Sequence, residues 1–381
     1  MNLNKFLEGH PQIKLATPED NKAILDFFET LPMEGKEMVI SYDRGPNFFD
    51  FLNFCGPNYF VFMIKMKNGD IGGVGTLVLR PGRINDEKKW VGYLGDLRVK
   101  ADRRASVWWR KFYGDLIVHA AEIEEFGGCK YFYTSILNEN TKAHNALVLN
   151  KKNPFQYFHM VDYEMVNIML RYNPWPSWNG GRYSYSQSDG KDKEEIVKFL
   201  AKQNKERSFG FCLEETYDEL NFRIHQWKQF KWDNFIVVRD LKGKIVGVTL
   251  LWTPSPVKRI MIKKMPAFLK LYFSIQGLIK KSPKEGGELE VLYLNFLEID
   301  SSLKEEQSEI FKNLVHFIYN LPVAKDFHAL SFCAFKGSPY ENLGGFLTHK
   351  TALSLYTVTL RGNEEKVTLG DLPPGFEMSL V

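Results

Sequence analysis

The apolar residues of this chain change spacing repeatedly, and each change marks an element. Residues 13–17 read as a strand, and Pro18-Glu19-Asp20 then opens a helix carrying Ile24, Leu25, Phe27 and Phe28. An aromatic and β-branched run over 59–66 leads into the turn Asn68-Gly69-Asp70 and a second run to Leu79, which predicts a hairpin. Residues 90–99 predict the next strand. Beyond it Trp109, Phe112, Tyr113, Leu116, Ala120 and Ile123 recur every three or four residues and so share one helical face. Gly127-Gly128 stops that helix, 131–137 predicts another strand, and a short helix from Thr141 precedes a last strand near 161–170. The order is β-α-β-β-β-α-β-α-β.

The same order then returns. Gly69-Asp70-Ile71-Gly72-Gly73-Val74 is echoed by Gly243-Lys244-Ile245-Val246-Gly247-Val248, 174 residues later. Tyr93-Leu94-Gly95-Asp96-Leu97-Arg98-Val99 is echoed by Tyr293-Leu294-Asn295-Phe296-Leu297-Glu298-Ile299, 200 residues later. Both echoes fall on strand-like segments in one order, and the larger second offset implies an insertion at about 254–287. The second copy predicts a strand near 183–187, a helix from Asp192 to about Gln203, and a hairpin over 234–252 turning at Lys242-Gly243. A strand at 289–300, a helix at 303–320 and strands at 328–335 and 351–360 complete it. The expectation is an α/β (α+β) protein of two like domains, 1–172 and 182–381, joined by a Pro- and Gly-rich linker at 173–181.

Composition sets limits on function. Apolar content of 44% and charged content of 25% are ordinary for a globular chain, and a net charge of +4 is too small to argue for a nucleic-acid partner. The 30 Phe and 17 Tyr predict extensive buried grooves or interfaces. Cys55, Cys129, Cys212 and Cys333 lack metal or redox spacing and read as reduced core residues of a cytoplasmic protein. No apolar run approaches the ~20 residues that span a bilayer, and no apolar signal core is visible at the N-terminus.

The segment GDLRVKADRRASVWWRKFYGDLI, residues 95–117, places a basic turn between a strand and a helix. With the element order above, it resembles the GNAT acyltransferase superfamily, once per half. That family's central motif is a strand ending in Val, a basic residue shortly after, a tight turn and a helix; Val99 and Arg104 match it. Asn140-Thr141-Lys142-Ala143 resembles the family's second motif, an Asn-x-x-Ala opening the helix that flanks the thioester. The resemblance implies two fused GNAT-like domains, each a mixed, mostly antiparallel sheet flanked by helices. It implies acetyl-CoA as acyl donor, no metal, and a small-molecule or peptide amine as acceptor. Leu97 and Val99 would meet the pantetheine arm, and Arg103, Arg104, Ala105, Ser106, Val107 and Trp108 the pyrophosphate. Asn140 and Ala143 would flank the thioester. Amides at a helix start favour an anion, and Arg103-Arg104 add full charges there. The family's glycines fall at about Val107 and Trp109, where this chain has none.

Such chemistry needs a base for the amine and a proton donor for the departing thiolate. Asp96 is the candidate base; a salt bridge to Arg98, two residues on, is its competing assignment. The family's donor Tyr falls at Leu147 here, so Tyr157 becomes the candidate acid, against an ordinary core tyrosine. His144 stands beside the second motif and otherwise reads as a surface histidine. In the second copy Ser302 and Glu305 predict a capping box, and Glu305, Glu306 and Glu309 would repel a pyrophosphate. Only the first copy is therefore expected to bind the cofactor. The acceptor is expected between residues 42–56, with Asp43, Arg44, Phe48, Phe49 and Phe51, and the second copy.

Residues 257–284 hold eight Lys or Arg and no acid. Phe268, Leu271, Tyr272, Ile275, Leu278 and Ile279 fall on one helical face there, a pattern that suits an anionic membrane surface or an acidic partner, or packing on its own domain. Two other functions fit the duplicated plan. One is a non-catalytic GNAT-like binding protein; the other is a Fem-type aminoacyl transferase, for which a coiled-coil arm or broad basic groove is expected.

Overall fold

The computed structural model describes residues 1–31, 33–34, 39–172, 181–214, 217–218, 220, 230–276, 281–341, 343–362, 367, 370 and 372–381. All of the expected linker except Gly181 lies outside these residues. The first half holds strands β1 (Ile13–Leu15), β2 (Met33–Glu34), β3 (Val39–Asp43) and β4 (Asn58–Lys65). It continues with β5 (Ile71–Ile84), β6 (Glu87–Val99), β7 (Tyr131–Leu137) and β8 (Phe155–Arg171). The second half opens with β9 (Tyr183–Gln187), β10 (Gly210–Phe211), β11 (Leu213–Glu214), β12 (Tyr217–Asp218) and β13 (Phe235–Asp240). It closes with β14 (Ile245–Trp252), β15 (Arg259–Lys264), β16 (Val291–Ile299), β17 (Ala329–Phe335) and β18 (Phe346–Leu360).

One sheet runs through both halves in the order β1-β4-β5-β6-β7-β18-β8-β17-β16-β14-β13-β9, with β10 added on β5. The halves exchange their last strands. β18 lies between β7 and β8, and β8 reaches across to pair with β17. Burial explains why the exchange holds. Phe155 and Tyr157 of β8 belong to the core of the first half, whereas Val166 and Ile168 belong to that of the second. Tyr356 and Val358 of β18 return the exchange by packing in the first core.

The internal repeat survives as pairing register. Gly73 pairs with Val99 and Gly247 with Ile299, which reproduces both sequence offsets. In each pair the next residues carry a bulge, where Asp96 has φ 52° and Phe296 has φ 46°. Left-handed backbone is disfavoured for residues with a Cβ, so a local cost is kept twice at one topological position. The helix after the first bulge spans Arg103–His119, and its predicted face, Trp109, Phe112, Tyr113 and Leu116, is buried. The second begins at Gln307, not 303, and runs to Asn320.

The insertion in the second half forms the expected helix, Ala267–Gln276, preceded by a strand the charge pattern does not signal, β15. β15 pairs with β3, so the second half extends a small sheet begun by the first. Three of its cations form ion pairs within the fold: Arg259 with Asp43 at 2.5 Å, Lys270 with Glu285 at 2.8 Å, and Lys281 with Glu290. Phe273 is buried and Leu271 exposed; Leu278 and Ile279, and the side chains of Phe268, Tyr272 and Ile275, lie outside the described residues. No helix among the described residues is long and apolar enough to cross a membrane.

Candidate active site

β6 and β7 run parallel, but their registered pairing covers only Val91, Gly92 and Tyr93 against Tyr131, Phe132 and Tyr133. Beyond Tyr93 the bulge at Asp96 bends β6, and the two strands part. Thr134 Oγ1 donates to the Leu94 carbonyl across the opening at 2.7 Å. Beneath the helix Arg103–His119 the notch holds a cavity of about 40 Å³, lined among others by Gly75, Thr76, Gly95, Leu97, Trp109 and Tyr157. Leu97 is exposed at its edge.

Asp96 faces a second cluster. Its Oδ2 accepts from Arg44 Nη2 at 2.5 Å and from Thr76 Oγ1 at 3.4 Å. Arg44 is 2% exposed, lies over Phe51 at 4.3 Å and Phe48 at 5.0 Å, and leaves Nη1 without a partner. Lys258, from the second half, sets its Nζ 4.5 Å from the Phe51 ring and 4.7 Å from Tyr42, and donates to the Val381 main-chain oxygen. Burial would raise the Asp96 carboxyl, but Arg44, Lys258 and Arg98 outweigh it and hold it below its ordinary value. Burial and the nearby Arg44 push the Lys258 amine down to about 8. The expected Asp96–Arg98 pair is corrected: Arg98 donates to the Phe28 and Leu31 carbonyls at 2.9 and 2.5 Å and covers the Phe28 ring. The bulge breaks the two-residue alternation on which that pairing depended.

Tyr157 lies in the notch, its hydroxyl 3.1 Å from that of Tyr113. Burial raises its phenol, so it stays protonated and able to donate. Leu147 lines the same cavity. Asn140 Oδ1 accepts from the Ala143 amide at 3.0 Å, a cap on the short helix that follows. His144 packs edge-on to Tyr356 at 6.1 Å and keeps Nε2 buried without a partner, which differs from the surface histidine expected. Thr76 joins the two groups of residues: it lines the notch and touches Asp96.

The turn after Val99 departs from an open anion cradle. Asp102 Oδ1 accepts from the amides of Arg104 and Ala105 at 2.8 and 3.0 Å, and these bonds hold its carboxyl below the ordinary value. Arg103, Arg104, Ser106 and Val107 are exposed, Trp108 is half-buried and Ala105 fully buried. The capping box expected in the second half is absent. Ser302 directs both its amide and its hydroxyl to Asp300 Oδ1, at 3.1 and 2.8 Å, and Glu305 precedes the helix. Asp300, 2% exposed, sits 3.6 Å from both Lys202 and Lys244.

The second notch is filled. The Phe296 amide donates to Glu377 Oε1 at 2.8 Å, and Asn295 Nδ2 donates to the Tyr293 carbonyl at 3.1 Å and, at 3.4 Å, to those of Leu250 and Trp252. Ser379 Oγ donates to Asn295 Oδ1. Sequence reasoning missed Lys258, Glu377 and the Arg44–Asp96 pair, which no local pattern signals. Asp102 did carry a signal, as an Asp directly before a helix.

No protein-family model and no curated protein matches the sequence. Solved structures match the fold. A GCN5-related glucosamine N-acetyltransferase region of a fungal multi-domain GH3 β-N-acetylglucosaminidase superposes with a TM-score of 0.57 and 11% identity over 91% of this chain, which spans 38% of that one. Saccharomyces cerevisiae N-myristoyltransferase with bound myristoyl-CoA gives 0.56 and 11%, covering 96% of this chain and 86% of its own. A GCN5-related N-acetyltransferase from Sphaerobacter thermophilus gives 0.51 and 10%, covering 96% and 97%. The chain therefore has the GNAT fold, in a tandem arrangement within one continuous sheet.

Proposed function

We propose that this protein is an acyl-CoA-dependent N-acyltransferase of the cytoplasm, moving an acetyl or similarly short acyl group to a primary amine of a small molecule or peptide. The observation that carries this is the open notch of the first half, set against the filled notch of the second. In this reading the thioester enters between β6 and β7, with Leu97 and Val99 along the pantetheine arm and Asn140 and Ala143 beside it. Arg103 and Arg104 meet the pyrophosphate, with the backbone from Ala105 to Trp108 around it. For those amides to take part, Asp102 must swing off them. The amine nitrogen attacks the carbonyl carbon, the C–N bond forms and the C–S bond breaks. Tyr157 protonates the departing thiolate. The depressed basicity of Asp96 suits holding the amine, and relaying its proton through water, better than direct abstraction. Lys258, against the Phe51 and Tyr42 rings, makes the basic segment 257–284 part of the acceptor wall. The test is thermal protection by acetyl-CoA, followed by release of free thiol with a pool of amines. Tyr157→Phe should slow release about 100-fold with acetyl-CoA affinity unchanged. Absence of protection by every acyl-CoA would overturn the proposal; protection without thiol release would make the chain a binding protein.

A further inference from the structure

The notch assigned above to the acyl donor is blocked at depth by one side chain. Trp109, 7% exposed, presses its ring onto the backbone of Gly75, where a Cβ would meet it at 2.5 Å. Gly75 lies opposite the bulge formed by Asp96 and Leu97, so the ring sits at the point where β6 is bent. What remains is the cavity of about 40 Å³. That is room for on the order of three water-sized groups. Around the ring the walls are apolar and buried: Phe62, Leu77, Phe112 and Leu116. The indole Nε1 is itself buried without a partner, so packing alone holds the ring in place.

From this geometry we infer that Trp109 sets the acyl-chain length, ending the notch after a two-carbon group and excluding longer donors. The inference rests on the notch being the thioester site. A longer chain must displace the ring, because Gly75 and the sheet close one side of it and Phe112 the other, with ring centroids 5.6 Å apart. A smaller residue at 109 would join the volume of the indole to the cavity. The apolar walls already present would then line a path for added methylenes.

The experiment titrates the full chain with CoA thioesters from acetyl to octanoyl, by calorimetry, in wild type and in Trp109→Phe, Trp109→Leu and Trp109→Ala. Wild-type affinity should fall about tenfold per methylene once the cavity is full. Trp109→Leu and Trp109→Ala should invert the order, so that octanoyl-CoA binds at least about tenfold more tightly than acetyl-CoA. Trp109→Phe keeps an aromatic ring in place and should keep the wild-type order. Should the alanine variant fail to fold, the leucine variant decides. Indifference of the wild type to chain length, or an order unchanged in both small variants, would overturn the inference while leaving acyl-CoA binding intact. Failure of the wild type to bind any thioester would instead remove the site on which the inference stands.

Discussion

The two notches of the sheet begin alike and end differently. In each, a parallel pair holds register for three residues, at Val91–Tyr93 and at Val291–Tyr293, before a left-handed residue parts the strands. At the first opening that residue is Asp96, whose side chain meets a buried arginine, and a cavity remains beside it. At the second it is Phe296, 2% exposed, and Glu377 takes its amide. The backbone supplies the opening in both copies; side chains decide whether it is used.

The largest effect of breaking this contrast is expected at the bulges themselves. Asp96→Asn leaves Arg44 buried with no opposite charge, and losing one partner of a buried pair costs about 3–5 kcal/mol. Phe296→Met keeps most of the buried volume and should cost about 1.5 kcal/mol or less. Replacing both Asp96 and Arg44 by apolar residues should recover much of the loss, because no charge is then stranded. The folded-state carboxyl of Asp96 is depressed, so its contribution is present above the unfolded value of 3.8 and fades as pH falls below it. Urea denaturation near neutral pH and in acid measures both. Equal costs for the two single variants would show that the ion pair does not hold the first bulge.

Charge reversal at the two helix starts asks which notch binds. A unit charge pair at ~4 Å and an effective dielectric of ~20 is worth about 4 kcal/mol. The side chain of Arg104 is 64% exposed, so solvent and salt reduce that greatly. Arg104→Glu should therefore weaken acetyl-CoA binding about tenfold, and Glu305→Lys should leave it unchanged. The second expectation now rests on the filled notch, since the capping box that first suggested it is absent. Binding lost in the Glu305 variant alone would place the site in the second half instead.

Local patterns explain which parts of this comparison the sequence could reveal. The strand, turn and helix from Glu87 to His119 each follow from spacing within a few residues. The offsets between copies were readable because Gly73–Val99 and Gly247–Ile299 keep one register. The exchange of β8 and β18 was not, because alternation marks a strand without naming its neighbour. Arg44 and Asp96 are 52 residues apart, and Glu377 and Phe296 are 81 apart. Ser302 and Glu305 have the spacing of a capping box, yet Asp300 lies closer to Ser302 and captures it. Asp102 is legible as an N-cap by its place before the helix, and it occupies amides that the neighbouring arginines by charge alone would offer to an anion.

A further effect is expected where the second half enters the first site. Lys258 has its amine brought from 10.5 down to about 8, by burial first and by the Arg44 charge second, against the pull of Asp96. Tyr42, Phe51 and the Val381 main-chain oxygen complete its surroundings. Between about 8 and 10.5 the unfolded chain holds a proton there that the folded chain has released, so stability rises with pH across that window. Lys258→Met removes the titration. Its melting temperature should exceed that of the wild type most at pH 7.5, with the gap closing towards pH 10.5. A gap that stays constant would mean that Lys258 titrates as a surface lysine does, and the link between the halves at this site would reduce to packing on Phe51 and Tyr42.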